Sequence, residues 1–364
     1  MKNINAIVAA GGTGGHLFPA MAVCEAFEQT GASFTPYFVG NPDKLESHTV
    51  PAHGWSFTPI PIKGFGGLLS AGTLMMPFRI MSSVQKVHGL IKAHKPDFVL
   101  CTGAYLSYPA GIAAHSAHIP LVLMESNVNP GKTIKMLSPK ADLIVTSFEA
   151  TAEYFAPETR GKIICLGNPL RQMFYHDVKP AEARAKFGLD PAKKTVLIFG
   201  GSLGARSINE AAEAAFAIYN KDVKIQFLWQ TGKNYTVKNP LPANVRQLTF
   251  IDDMAAAYSA ADLVVARSGA TTVAELCSAG KASVLVPLPS ASCNEQAANA
   301  AEMVKQEAAI ILDNSRVYDE LGTKIGELIA DETRLAKMAD AAKSLAKDSA
   351  AADTVEKILK LIKK

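Results

Sequence analysis

The chain has 364 residues, more than twice the ~150 of an average domain, which predicts two domains and excludes a single small one. With 48% hydrophobic and 19% charged residues it is neither disordered nor low-complexity, and a net charge of +4 excludes a nucleic-acid surface built on bulk charge. Five scattered cysteines (Cys24, Cys101, Cys165, Cys277, Cys293), with no Cys-x-x-Cys and no His/Cys ligand spacing, predict buried free thiols in a reducing compartment and no metal site.

The first residues run at once into an apolar strand and a glycine cluster, which predicts no secretory signal. Ile4 to Ala10, Phe34 to Val39, Phe98 to Cys101, Leu121 to Met124, Leu143 to Thr146 and Lys162 to Leu166 read as buried parallel strands. Helical segments such as Pro19 to Gln29 and Leu74 to Ala93 lie between them, so the pattern is repeated βαβ. The uncharged stretch from Phe98 to Met124 is long enough to cross a bilayer, but Pro109, Pro120, His115 and His118 make it strand, loop, short helix, strand instead.

The rhythm breaks at Gly167-Asn168-Pro169, where a polar stretch with one short helix (Ala181 to Phe187) reads as a linker. A second series follows, with strands at Thr195 to Phe199, Lys224 to Trp229, Asp262 to Ala266, Ser283 to Val286 and Ile310 to Leu312. Its helices are Ala205 to Tyr219, Thr271 to Ala279 and Gln296 to Gln306. The expected domains are 1–166, a linker at 167–190, and 191–344, with a C-terminal helix at about 345–364 returning to the first. In that helix Val355, Ile358, Leu359 and Ile362 form an apolar stripe.

Gly11-Gly12-Thr13-Gly14-Gly15 and Gly200-Gly201-Ser202-Leu203-Gly204 each follow a first apolar strand and open a helix. Such a loop lets backbone N–H groups and a helix N-terminus face a phosphate, although glycines also serve plain helix–strand packing. The fold class is therefore α/β, two Rossmann-like doubly wound parallel-sheet domains with a ligand in the cleft they face. Gly-x-Gly-x-x-Gly is missing and the second strand ends in Gly40-Asn41 rather than an acidic residue, which argues against NAD. Gly131-Lys132-Thr133 mimics a nucleotide-binding loop, but Ser126 and Pro130 spoil it. No Asp-x-Asp pair occurs, so no metal is expected to hold a pyrophosphate. Arg267-Ser268-Gly269-Ala270-Thr271-Thr272 opens a third helix after a strand, and Glu275 one turn on suits ribose hydroxyls or merely the helix dipole.

Gly-Gly-Thr-Gly-Gly-His (11–16) with Pro19, Gly-Asn-Pro-Leu-Arg (167–171), Gly-Gly-Ser-Leu-Gly-Ala (200–205), Phe-Ile-Asp-Asp-Met (250–254), Arg-Ser-Gly-Ala-Thr-Thr-Val-Ala-Glu (267–275) and Asn-Glu-Gln-x-x-Asn-Ala (294–300) occur in this order. The set resembles the MurG family of N-acetylglucosaminyltransferases of peptidoglycan synthesis. The resemblance implies a GT-B fold and inverting transfer of GlcNAc from UDP-GlcNAc to the C4 hydroxyl of MurNAc in lipid I, giving lipid II, with no cofactor. A UDP-sugar transferase with another lipid acceptor and a UDP-GlcNAc 2-epimerase are the alternatives. It further implies that Thr13, Gly14 and Gly15 contact sugar and phosphate, Asn127 the transferred sugar, and Arg171 and Ser202 the pyrophosphate. Ile251 then recognises uracil through its backbone, Glu275 holds the ribose, Gln296 the GlcNAc hydroxyls, and Ala270, Thr271 and Thr272 the leaving group. Departures from the family pattern fall at Ala104, Tyr108, Ser126 and Glu295.

Inverting transfer needs one base, and His16 fits by its ordinary pKa near 6.5, with Glu125 or a water chain as the rival. A lipid-linked acceptor implies a peripheral enzyme on the cytoplasmic face of the bacterial inner membrane, with an anionic lipid surface and other cell-wall synthesis proteins as partners. Leu74, Phe78, Met81, Val84, His88 and Ile91 form the helix face expected to pack inward. That leaves Leu68, Leu69, Met76, Ile80 and Val87, interleaved with Lys63, Arg79 and Lys86, to meet the lipid.

Overall fold

The computed structural model of this chain describes residues 3–60, 62, 75–175 and 178–363. The chain forms two compact units, residues 1–172 with 348–364, and residues 173–347.

In the first unit the elements run β1 (Ile4–Ala9), α1 (Gly14–Gln29), β2 (Phe34–Gly40), α2 (Glu46–Ala52), β3 (Ser56–Pro59), α3 (Met76–His94), β4 (Phe98–Cys101), α4 (Ser107–Ser116), β5 (Leu121–Glu125), α5 (Lys132–Leu137), β6 (Leu143–Thr146) and β7 (Ile163–Cys165). The strands form one seven-stranded sheet in the order β3-β2-β1-β4-β5-β6-β7, with every pairing parallel. Apolar runs such as Ile7, Val8 and Ala9 are wholly buried because helices cover both faces, as a parallel sheet requires. The strand order reverses between β1 and β4, so the loops that follow these two strands diverge and leave room between them.

Helix α1 starts at Gly14, five residues before the expected Pro19, because the glycines conceal its first turn from any propensity argument. The edge strand β3 also escapes the sequence reading, since its four residues are half-exposed and carry no buried apolar run. The stripe on the C-terminal helix (Ala350–Ile362) packs into the core under α1, where Val355 and Ile358 join Leu17, Phe27 and Phe38.

Helix α3 corrects one expectation. Ser83 and Val87 are its buried residues, and Ile80, Val84, Leu90 and Ile91 pack beside them. Phe78 and Met81, expected inside, are 61% and 56% exposed, and Met75 is 49% exposed. Both stripes obey the i, i+3, i+4, i+7 spacing and share Val84 and Ile91, so periodicity alone does not separate them. Lys63, Leu68, Leu69 and Leu74 lie outside the described residues.

The second unit contains α6 (Pro180–Lys186), β8 (Lys194–Phe199), α7 (Arg206–Ile218), β9 (Ile225–Gln230), β10 (Val245–Leu248), α8 (Met254–Ala260), β11 (Leu263–Ala266), α9 (Ala270–Ala279), β12 (Ser283–Leu285), α10 (Glu295–Lys305), β13 (Ala309–Ile311), α11 (Val317–Ala330) and α12 (Glu332–Ser344). Its six parallel strands run β10-β9-β8-β11-β12-β13, repeating the first plan around a core with Trp229, Phe216 and Phe227. Helix α6, read from sequence as part of a linker, is pinned to this unit. Arg184 donates to the Ala260 carbonyl at 3.0 Å and forms an ion pair with Asp262 at 2.7 Å. Among the described residues no helix is long and apolar enough to cross a membrane.

Replacing the fully buried Ile358 with alanine removes its methyl groups from a close-packed core and should cost about 3 kcal/mol. Urea unfolding followed by hydrogen exchange should show the loss in the amides of the first unit and leave those of the second unchanged.

Candidate active site

In the first unit the loops after β1, β2 and β4 surround a cavity of about 550 Å³ lined by Gly11, Gly12, Thr13, His16, Asn41, Asp43, Lys44, Ala104 and Tyr105. Gly11 and Gly12 adopt φ of +153° and +82°, angles that L side chains rarely take, and Thr13 then caps α1 in an extended conformation. The His16 and Leu17 amides close the first turn on the Thr13 carbonyl. His16 thus sits in the first turn of α1 at the cavity wall.

The His16 ring is clamped by the β4 loop. Nδ1 lies 2.7 Å from the Thr102 carbonyl, and Thr102 Oγ1 donates to the His16 carbonyl at 2.8 Å. A carbonyl only accepts, so Nδ1 carries the proton and Nε2 keeps its lone pair. Burial lowers the His16 pKa, outweighing the opposing effect of the Thr102 bond, and holds the ring neutral. Gly103, at φ +98°, passes so close that a Cβ there would fall 3.0 Å from His16 Cε1.

Glu125, the rival base, is committed elsewhere. It is 4% exposed, and its Oε1 accepts from the Asn127 backbone at 2.9 Å and side chain at 3.2 Å. Its Oε2 accepts from the Gly131 amide at 2.9 Å, the donor that a phosphate loop at Gly131 would have aimed outward. Arg171 lies in the first unit with its guanidinium 4.4 Å from the Phe18 ring.

The other expected ligands cluster in the second unit. Gly200, Gly201 and Gly204 allow a tight turn, and a Cβ on Gly204 would overlap the Thr231 carbonyl, so this loop presses against the loop after β9. Ser202 is exposed at its tip. Ile251 is 2% exposed and its amide donates to Gln230 Oε1 at 2.8 Å, while Gln230 Nε2 donates to the Gly201 carbonyl at 2.9 Å. The donor by which Ile251 would recognise a base is therefore engaged by Gln230 in this structure. Ala270 begins α9, with Thr271 and Thr272 half-buried in its first turn. Glu275 accepts from Tyr258 Oη at 2.8 Å, and Gln296 Oε1 accepts from the Leu288 amide at 3.0 Å.

Sequence reasoning missed Asn41, Tyr105, Gln230 and Tyr258. The first three follow the carboxyl ends of β2, β4 and β9 or close them, where open parallel sheets place their ligands, so that rule was the available signal. Tyr258 reads only as an apolar residue of a helix. Its hydroxyl is buried, and that burial, with the adjoining Glu275 carboxylate, raises its pKa well above the ordinary value.

Residues 6–146 match the glycosyltransferase family 28 N-terminal domain and residues 195–355 the glycosyltransferase family 28 C-terminal domain. The chain belongs to glycosyltransferase family 28. A relative from Christiangramia forsetii named UDP-N-acetylglucosamine–N-acetylmuramyl-(pentapeptide) pyrophosphoryl-undecaprenol N-acetylglucosamine transferase is 36% identical, over 99% of this chain and 98% of its own. A Lacticaseibacillus casei protein of the same name is 36% identical over 93% of each chain. The crystal structure of Acinetobacter baumannii MurG superposes with a TM-score of 0.77 at 29% identity, covering 98% of this chain and 99% of that one. A UDP-GlcNAc 2-epimerase from Neisseria meningitidis reaches a TM-score of 0.70 at 13% identity, over 99% of this chain and all of that one, which is a likeness of fold alone. This family 28 chain thus has the GT-B type of fold, with its two parallel-sheet units.

Gly103→Ala places a methyl group against the His16 ring at a backbone angle that alanine resists. Transferase turnover should fall at least about tenfold while nucleotide binding, measured by calorimetry, is unchanged.

Proposed function

We propose that this protein is the inverting transferase that moves GlcNAc from UDP-GlcNAc to the C4 hydroxyl of MurNAc in lipid I, forming lipid II. The observation that carries the reading is a neutral His16 with its Nε2 lone pair directed away from the Thr102 clamp, in a chain whose full-length relatives bear that transferase name. In the reaction, the acceptor oxygen forms its bond to the anomeric carbon as the bond to UDP breaks. His16 Nε2 takes the hydroxyl proton, and UDP leaves with the electron pair.

In this reading residues 1–166 serve the acceptor and 191–344 the donor. Thr13, Gly14 and Gly15 offer amides of the α1 terminus to anionic oxygens, and Asn127 meets the transferred sugar. Ser202, the α9 terminus with Ala270, Thr271 and Thr272, and Arg171 meet the charge that grows on the leaving phosphate. Ile251 meets uracil once its amide exchanges Gln230 for the base, Glu275 meets the ribose hydroxyls and Gln296 the GlcNAc hydroxyls. Tyr258 holds the Glu275 carboxylate in place through its 2.8 Å bond.

UDP release by purified protein with a lipid I analogue tests this directly. Turnover should require the acceptor, persist in EDTA, and fall about 10²–10³-fold in His16→Ala with UDP affinity retained. Release without acceptor dependence would overturn the assignment. Because burial lowers the His16 pKa, the base form persists at neutral pH, and kcat/KM should fall only below pH 6.5, as the ring takes up a proton.

We further propose that the protein works peripherally on the cytoplasmic face of the bacterial inner membrane. The exposed Met75, Phe78 and Met81, flanked by Arg79 and Lys86, form the apolar and basic surface that meets anionic lipid. Phe78→Asp with Met81→Asp should weaken sedimentation with phosphatidylglycerol vesicles at least about tenfold and spare turnover of a short-chain, soluble acceptor. Unchanged sedimentation would refute this surface.

A further inference from the structure

Glu46 opens α2, and its side chain is fully buried, with no basic side chain paired to it among the described residues. Its two carboxylate oxygens are spent on two backbone donors from different loops. Oε2 accepts from the Gly12 amide at 2.9 Å and Oε1 from the Asn41 amide at 2.9 Å. Asn41 in turn donates through Nδ2 to the Ile62 carbonyl at 3.2 Å and to Tyr105 Oη at 3.3 Å. Gly12, Asn41 and Tyr105 all line the cavity that holds His16, so one carboxylate lies behind its wall, joins the loops after β1 and β2 directly, and reaches the loop after β4 through the Asn41 side chain.

The fit around this carboxylate is tight. A Cβ on Gly11 would overlap it, and one on Gly40 would lie 2.5 Å from Glu46 Cγ. Gly11 is therefore required by the side chain beneath the loop, whatever lies above it. A buried anion is costly unless charge-assisted hydrogen bonds replace its water, and the two amides do this. In return their N–H groups are turned inward, away from any ligand. The Gly12 anchor fixes the peptide that leads into Thr13, whose carbonyl closes the first turn of α1 on the His16 amide.

We propose that Glu46 is a positioning residue for the transfer reaction, its buried carboxylate setting the first glycine loop and, through that loop, the placement of His16. It does not touch substrate. The role in turnover rests on the functional reading above, whereas the effect on His16 placement does not.

The test uses the full chain carrying Glu46→Gln or Glu46→Asp. Glutamine keeps the size but turns an amide NH2 toward one of the two donors, and aspartate keeps the charge but is one methylene too short to reach both. In ¹⁵N-labelled protein the His16 ring resonances, which report the Nδ1–H bond to Thr102, should shift in both variants. The kcat for acceptor-dependent UDP release should drop at least tenfold in Glu46→Gln and less in Glu46→Asp, with the KM for UDP-GlcNAc within twofold of wild type. A lower thermal midpoint with unchanged ring resonances and unchanged constants per folded molecule would overturn the proposal. If Glu46→Gln does not fold, the aspartate variant decides by the same two readouts. If the wild type itself shows no acceptor-dependent turnover, the functional reading fails and the ring resonances alone decide the placement of His16.

Discussion

Backbone amides that leave the carboxyl end of a parallel strand have no further ladder to join, and a loop of fixed shape must still satisfy them. Buried polar side chains do this throughout the protein. Glu46 holds Gly12 and Asn41, Glu125 holds Asn127 and Gly131, and Gln230 links Gly201 to Ile251. Glu46 and Gln230 join loops that are separate in sequence, and Glu125 closes a single loop on itself. The glycines supply the conformational freedom, and these side chains remove it again, leaving a single loop shape.

The same principle separates the acidic candidate for proton transfer from the histidine. Glu125 has both oxygens committed to backbone donors, so its carboxylate is a structural acceptor. Among the described residues His16 uses only one ring nitrogen on the protein and keeps the other. The Thr102 carbonyl selects the tautomer, and burial keeps the ring neutral. A base needs both conditions, one of geometry and one of charge.

Much of this was legible in the sequence. Central strands are unbroken apolar runs because both faces of their sheets are covered, so β1, β5, β8 and β11 declare themselves. Edge strands β3 and β10 do not, since none of their residues is buried. The glycine loops pointed to His16, Ser202 and the α9 terminus, but sequence spacing says nothing about which distant side chain lies beneath a loop. Glu46 stands 34 residues from Gly12 and reads as an ordinary helix-opening acid. The inward face of α3 was misread because two stripes share the same period, and only the packed neighbours choose between them.

The C-terminal helix adds a constraint of time. Ala351, Val355 and Ile358 complete the core that Phe27 and Phe38 begin, yet the whole second unit, residues 173–347, is synthesised between them. During translation the second unit can fold as soon as its own residues have left the ribosome, while the first must wait with part of its core open to water. The unit begun first is thus the one whose core is completed last along the chain.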